Sequence, residues 1–140
     1  MKAVRYHEYG TDQVLRIEDT ETPTPGHEEV LVKVVATSFN PIHAAMRAGY
    51  LQSAFAVDLP HTPGIDVAGT VAQSRSGVTG IEVGDAVVAL LPLNADGATA
   101  EFELAPGNLL TAAPTSSART LTASVFSETS NPTPRTADPK

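Results

Sequence analysis

Six of the eight residues in Glu29-Val30-Leu31-Val32-Lys33-Val34-Val35-Ala36 are apolar, and four of them are valine. Valine is stiff at χ1 and packs well on a pleated surface, so the run favours extended backbone over helix. In a strand, Val30, Val32, Val34 and Ala36 share one face, and Leu31, Lys33 and Val35 share the other. One face is wholly apolar and the other mostly so, which predicts a strand lying within the core of a sheet.

Shorter runs of the same kind flank it. Lys2 to Tyr6 and Val14 to Asp19 read as a first strand pair turned at Gly10-Thr11-Asp12, and Glu21 to Glu28 reads as a loop set by Pro23, Pro25 and Gly26. Further strands are expected at Asp66 to Gln73, Ala86 to Leu91 and Thr99 to Leu104, with glycines at 64, 69, 77, 80 and 84 at their ends or between them. Asn40-Pro41 can open a short helix through Met46, with Asn40 as cap and Pro41 at the first helical position, ending at Gly49. The expectation is a mainly β chain, a partly open barrel with one or two short helices.

Composition removes several function classes. The chain has no cysteine, which excludes disulfides, thiolate catalysis and cysteine-ligated zinc. His7, His27, His43 and His61 do not fall at ligand spacing, so no metal site is expected. Nine basic residues against sixteen acidic ones, a net charge of −7 with the basic residues scattered, speak against nucleic acid. The apolar stretch Ala86 to Leu93 is far short of the roughly 20 residues a spanning helix needs, and Met1 to Arg5 carries no apolar run, so a cytoplasmic, non-membrane setting is expected.

Character changes at Pro114. Residues 1–114 carry the strand pattern, whereas residues 115–140 hold 11 Ser or Thr and three Pro, the composition of a flexible tail. Within that tail, Leu121 to Phe126 has the apolar content for one short element.

Five segments in order carry a resemblance. Pro23-Thr24-Pro25-Gly26-His27-Glu28-Glu29-Val30-Leu31-Val32-Lys33-Val34 is a proline-glycine loop entering a strand, and Asn40-Pro41-Ile42-His43-Ala44-Ala45-Met46-Arg47-Ala48-Gly49 is close to N-P-x-D-x-x-x-R-x-G. Pro60 to Val71, Gly77 to Val88 and Gly97 to Pro106 complete the series, the last matching G-x-x-A-E-[YF]. Together they resemble the N-terminal, GroES-like domain of medium-chain dehydrogenases/reductases, in the zinc-independent quinone and enone reductase branch. The resemblance implies a GroES-like barrel (residues 1–114) that covers a small substrate, a quinone, an enone or a polyketide-like molecule. It also implies NADPH, held on a following Rossmann domain.

Zinc-dependent members of that family place a cysteine in the segment of Asn40 and a His-Glu pair at Ile65 and Asp66; this chain has neither the Cys nor the His. The nearest glycine pattern, Gly77-x-x-Gly80-x-x-x-Gly84, lies between two strands with no helix to present to a pyrophosphate. The chain alone is therefore expected to bind no cofactor, and NADPH only if a Rossmann domain is supplied. The change after Pro114 resembles a truncation or a shifted reading frame. Strands that the family supplies from its C-terminal end would then be missing, and a homodimer is one way to cover the edge they leave.

The chain departs from the family pattern at His43, where an aspartate is usual. An imidazole there can serve as a general acid, and His43, Asp66 and Tyr50 are the candidate catalytic residues; the plainer reading of His43 is a helix-surface histidine. Asn40, Tyr50 and His61 are the candidates for lining a substrate cleft, His61 also reading as a surface loop residue. Three functions stay open: the substrate-side domain of an NADPH-dependent reductase, a free-standing cyclase, isomerase or dehydratase, and a dimerisation or binding module.

Overall fold

The structure, a computed structural model, describes residues 1–114. In chain order its elements are β1 (Lys2–Arg5), β2 (Arg16–Asp19), β3 (Glu29–Thr37), helix α1 (Pro41–Arg47), β4 (Asp66–Ser74), β5 (Ala86–Leu90), β6 (Phe102–Pro106) and β7 (Thr111–Ala112). Single 3-10 turns cover Asp12–Val14 and Gly107–Leu109. The expected tail and the Leu121 to Phe126 element lie outside the described residues.

The valine run sits mid-sheet. β3 pairs antiparallel with β4 on one side and β6 on the other, within a five-stranded sheet of order β6-β3-β4-β5-β7. Val30 and Val32 are fully buried, and with Val67, Val71, Val87, Leu91, Ala98, Ala105 and Leu110 they form the core. Burying a valine side chain fully contributes about 2 kcal/mol, so this cluster holds the sheet in its curve. The second face of β3 behaves differently along its length. Leu31 is buried, but Lys33 is exposed and Val35 is 57% exposed, because register shifts after Leu31 and Val34 turn the strand's far end out of the core.

β1 and β2 form a separate antiparallel ribbon, tied to the rest through the bridges Ala3 to Ala100 and Tyr6 to His61. This explains why the predicted strand Thr99 to Leu104 begins only at Phe102. Thr99 and Glu101 bond to β1 instead, Val4 N–H donating to the Thr99 carbonyl at 2.8 Å and Glu101 N–H to that of Lys2 at 2.9 Å. The segment crosses from ribbon to sheet, and the sheets do not close, as a partly open barrel requires.

Two glycine positions shape the ends. Gly84 has φ 98°, and Asp85 accepts from Glu82 N–H at 2.8 Å, a turn that leads into β5. Gly97 lies against Gly64 so closely that a Cβ on it would collide with the Gly64 carbonyl. Across that contact, Gly97 N–H donates to Thr62 O at 2.8 Å, Ala98 N–H to Gly64 O at 2.7 Å and Thr99 N–H to Pro63 O at 3.0 Å.

Candidate functional site

Helix α1 is short, and its start is built as the sequence implies. Asn40 is the cap: its Oδ1 accepts from Ile42 N–H at 3.1 Å, and Pro41 takes the first helical position, where a missing N–H costs nothing. His43, at the third position, completes the capping box by accepting from Asn40 N–H at Nδ1, 3.4 Å away. Glutamate or glutamine usually fills that place. An imidazole does the same work here but is fixed by it: with Nδ1 accepting, the neutral ring is assigned its proton on Nε2.

His43 is therefore no surface residue. It is 6% exposed, with Met46 beside it on the inner face of α1. Burial lowers its pKa from the ordinary value, with the Asp66 charge acting the other way, so the ring is neutral at pH 7. Among the described residues its Nε2 has no hydrogen-bond partner, and neither has Arg47 Nε one turn later. Both residues line a pocket of about 290 Å³ between α1 and β1, walled also by Val4, Leu15, Phe39 and Pro63. Two donors shielded from water, on residues that line one small apolar pocket, would meet an acceptor oxygen once the lining opened to it.

The other predicted residues fall at different distances from this pocket. Asp66 stands behind its wall, where Oδ2 accepts from Ser38 Oγ, and Thr37 Oγ1 donates to the Asp66 carbonyl at 2.8 Å. Ser38 itself lines the pocket. Asn40 is exposed at the helix cap. Tyr50 is 82% exposed and does not line the pocket, so the described residues do not bring it to His43.

The surface reading of His61 is corrected. It is 5% exposed, hydrogen-bonded through its backbone to Tyr6 in both directions at 3.0 Å, with its ring edge-on to that of Tyr6 at 5.4 Å between centroids. Its Nδ1 lies 3.4 Å from Asp96 Oδ1. The Pro60 and Pro63 flanks suggested a loop, but the bridge to β1 draws that loop into the core. Burial also lowers the His61 pKa, opposed by Asp96. Among the described residues no group of three His, Asp or Glu side chains is placed to hold a metal ion.

Arg47 is the pocket residue that the sequence reading did not single out. The signal for it is the i, i+4 spacing from His43, which puts both on one helical face.

An open antiparallel barrel with one capped helix is the fold of a GroES-like domain. Residues 26–115 match the Alcohol dehydrogenase GroES-like domain family, and the chain belongs to that family. It is 39% identical over 116 residues to the chloroplastic quinone-oxidoreductase homolog of Spinacia oleracea, covering 81% of this chain and 35% of that protein. It is 40% identical over 90 residues to the chloroplastic NADPH-dependent alkenal/one oxidoreductase of Arabidopsis thaliana, covering 64% of this chain and 23% of that protein. Among solved structures, a mycobacterial protein in complex with NADPH superposes with a TM-score of 0.77 at 38% identity, covering 89% of this chain and 37% of that one. The chain thus spans about a third or less of the length of these two curated relatives. No helix among the described residues is long and apolar enough to cross a membrane.

Proposed function

We propose that this chain is the substrate-side domain of an NADPH-dependent reductase of quinones or enones that works without zinc. The observation that carries the reading is a pair of buried donors without acceptors among the described residues, His43 Nε2 and Arg47 Nε, on residues that line one pocket of about 290 Å³, room for a small molecule. Quinones and enones share a carbonyl oxygen that gains negative charge as they are reduced. Preorganised N–H donors in a water-poor site stabilise such charge better than water does. The chain's own contribution is to hold and polarise that oxygen through the N–H groups of His43 Nε2 and Arg47 Nε.

The zinc-free part rests on the donor set: Ile65 stands where a ligand is needed, and Asp66 is engaged with Ser38. The residues present do not fit NADPH. Gly77, Gly80 and Gly84 lie in the turns between β4 and β5, and no glycine turn among the described residues opens a helix. Hydride donation thus needs residues beyond those described. A cytoplasmic location and a homodimer covering Ile17 and Val35, which are 75% and 57% exposed, belong to the same reading.

A chimera tests it. Residues 1–114 replace the matching segment of the Arabidopsis alkenal/one oxidoreductase, and NADPH oxidation is followed with a quinone and an enone. The expected result is turnover that falls at least tenfold in the His43→Ala chimera, the scale of one lost donor to a developing oxyanion. A folded chimera that binds NADPH yet reduces neither substrate would overturn the reading.

A further inference from the structure

A second pocket, about 440 Å³, opens beside β6, between that strand, the segment after β5 and the residues of β1. Its wall includes Glu103, which lies on β6 opposite Val32 and on the same face as the core residue Ala105. The period of two puts an apolar residue at such a position, and this chain puts a carboxyl there, 7% exposed. No side-chain donor pairs with it among the described residues, and its hydrogen-bonding neighbour is the Leu104 backbone. A buried carboxyl with so little compensation keeps its proton until a charge from outside the chain draws it off.

The surroundings say what would. From the other elements the charged groups on the pocket are Arg5 on β1, Glu21 before β3, Glu29 at the start of β3, Asp96 after β5, and the Met1 ammonium. Both cations are engaged, Arg5 Nη2 with Pro60 O at 2.9 Å and the Met1 ammonium with Thr20 O at 2.7 Å. Glu29 Oε2 accepts from Gly26 N–H and Asp96 Oδ1 from Thr62 N–H, each at 2.7 Å. Four acidic side chains thus face two cations that are already engaged, across a wall otherwise built from groups such as Leu91, Pro92 and Leu104.

We propose that this pocket binds a small amphipathic amine, its ammonium group against Glu103 and Asp96 and its hydrocarbon part against Leu91 and Leu104. The site is separate from the His43 pocket and does not depend on the reductase reading. Burial pushes the Glu103 carboxyl up to about 8, with Asp96 adding to the effect, so at pH 7 an arriving ammonium displaces a proton.

The test is a titration of the 140-residue chain with n-hexylammonium chloride, by calorimetry and by amide NMR, against 1-hexanol as neutral isostere. The amine should perturb the amides of Arg5, Thr62 and Leu104, bind at least tenfold tighter than the alcohol and release close to one proton at pH 7. With Glu103 titrating at about 8, its affinity should rise roughly eightfold from pH 7 to pH 8.5. Glu103→Gln should weaken binding at least tenfold and remove the pH dependence. If that variant does not fold, Asp96→Asn, on a side chain 56% exposed, carries the test with a loss of about threefold. Equal binding of amine and alcohol, perturbation confined to other residues, or unchanged affinity in the folded variants overturns the proposal.

Discussion

The pocket beside α1 sets two donors in an apolar wall and the pocket beside β6 gathers acidic side chains, and the two meet where residues 62–64 bond to residues 97–99. Thr62 and Asp96 face the acidic pocket, Pro63 and Thr99 the other. Burial acts on both, in opposite senses: it takes the proton from His43 and leaves one on Glu103. Each pocket therefore rests with its central group neutral near pH 7. They differ in the ligand that draws out a charge, an acceptor oxygen on one side and an ammonium on the other. One physical cause, desolvation, thus yields two recognition chemistries because it meets a base in one place and an acid in the other.

The shared seam is where the comparison breaks most completely. A methyl group at Gly97 would enter the Gly64 backbone, which cannot rotate away as a side chain can. Gly97→Ala should cost more than about 3 kcal/mol and remove both pockets together. The check is the thermal midpoint together with NMR signals from Arg47 and Glu103. A stable variant that loses only one pocket would show that the seam is not common to both.

Protonation separates the pockets without altering a backbone atom. The Glu103 value is raised from about 4.5 to about 8, so the folded state keeps a proton the unfolded chain has lost. Its stabilising share is fully present below about 4.5 and is lost as pH rises through about 8, on the order of 5 kcal/mol in all. His43 and His61 are lowered from 6.5, so theirs is present above 6.5 and lost as pH falls through their folded values. Between pH 4.5 and 8 the Glu103 carboxyl therefore makes urea midpoints fall as pH rises, while below 6.5 the two histidines act in the opposite sense. Glu103→Gln should remove the fall between pH 6.5 and 8, where the histidines do not act, and His43→Gln should reduce the opposing slope below 6.5. A fall between pH 6.5 and 8 that survives Glu103→Gln would mean that another group sets it.

The fold was far more legible in the sequence than the sites were. The Val30 to Ala36 alternation announced the central strand, and Asn40-Pro41 announced the helix and its cap, because strand period and cap chemistry are local. His43 was visible as a departure from the family pattern, but its burial was not, since that depends on distant residues such as Val4 and Leu15 that share its pocket. His61 was misread for the same reason: the bridge to Tyr6 is a long-range pairing that no flanking residue signals. Glu103 drew no notice because an acidic residue in a strand ordinarily faces water. Only the register with Val32 shows that it faces inward.

The smallest expected effect isolates one pocket from the other. Asn40→Ala removes the Oδ1 that accepts from Ile42 N–H, so the first turn of α1 should loosen at a cost of about 1 kcal/mol. The backbone N–H of residue 40 remains and can still reach His43 Nδ1, so the ring keeps its tautomer while its burial relaxes. The His43 pKa should then move back towards 6.5 in a titration of its ring protons, since desolvation is what lowered it. Glu103 lies across the seam and shares no hydrogen bond with α1, so its carboxyl resonance should titrate unchanged. A joint shift of both groups would reveal that the seam transmits strain between the pockets, and they would have to be treated as one coupled site.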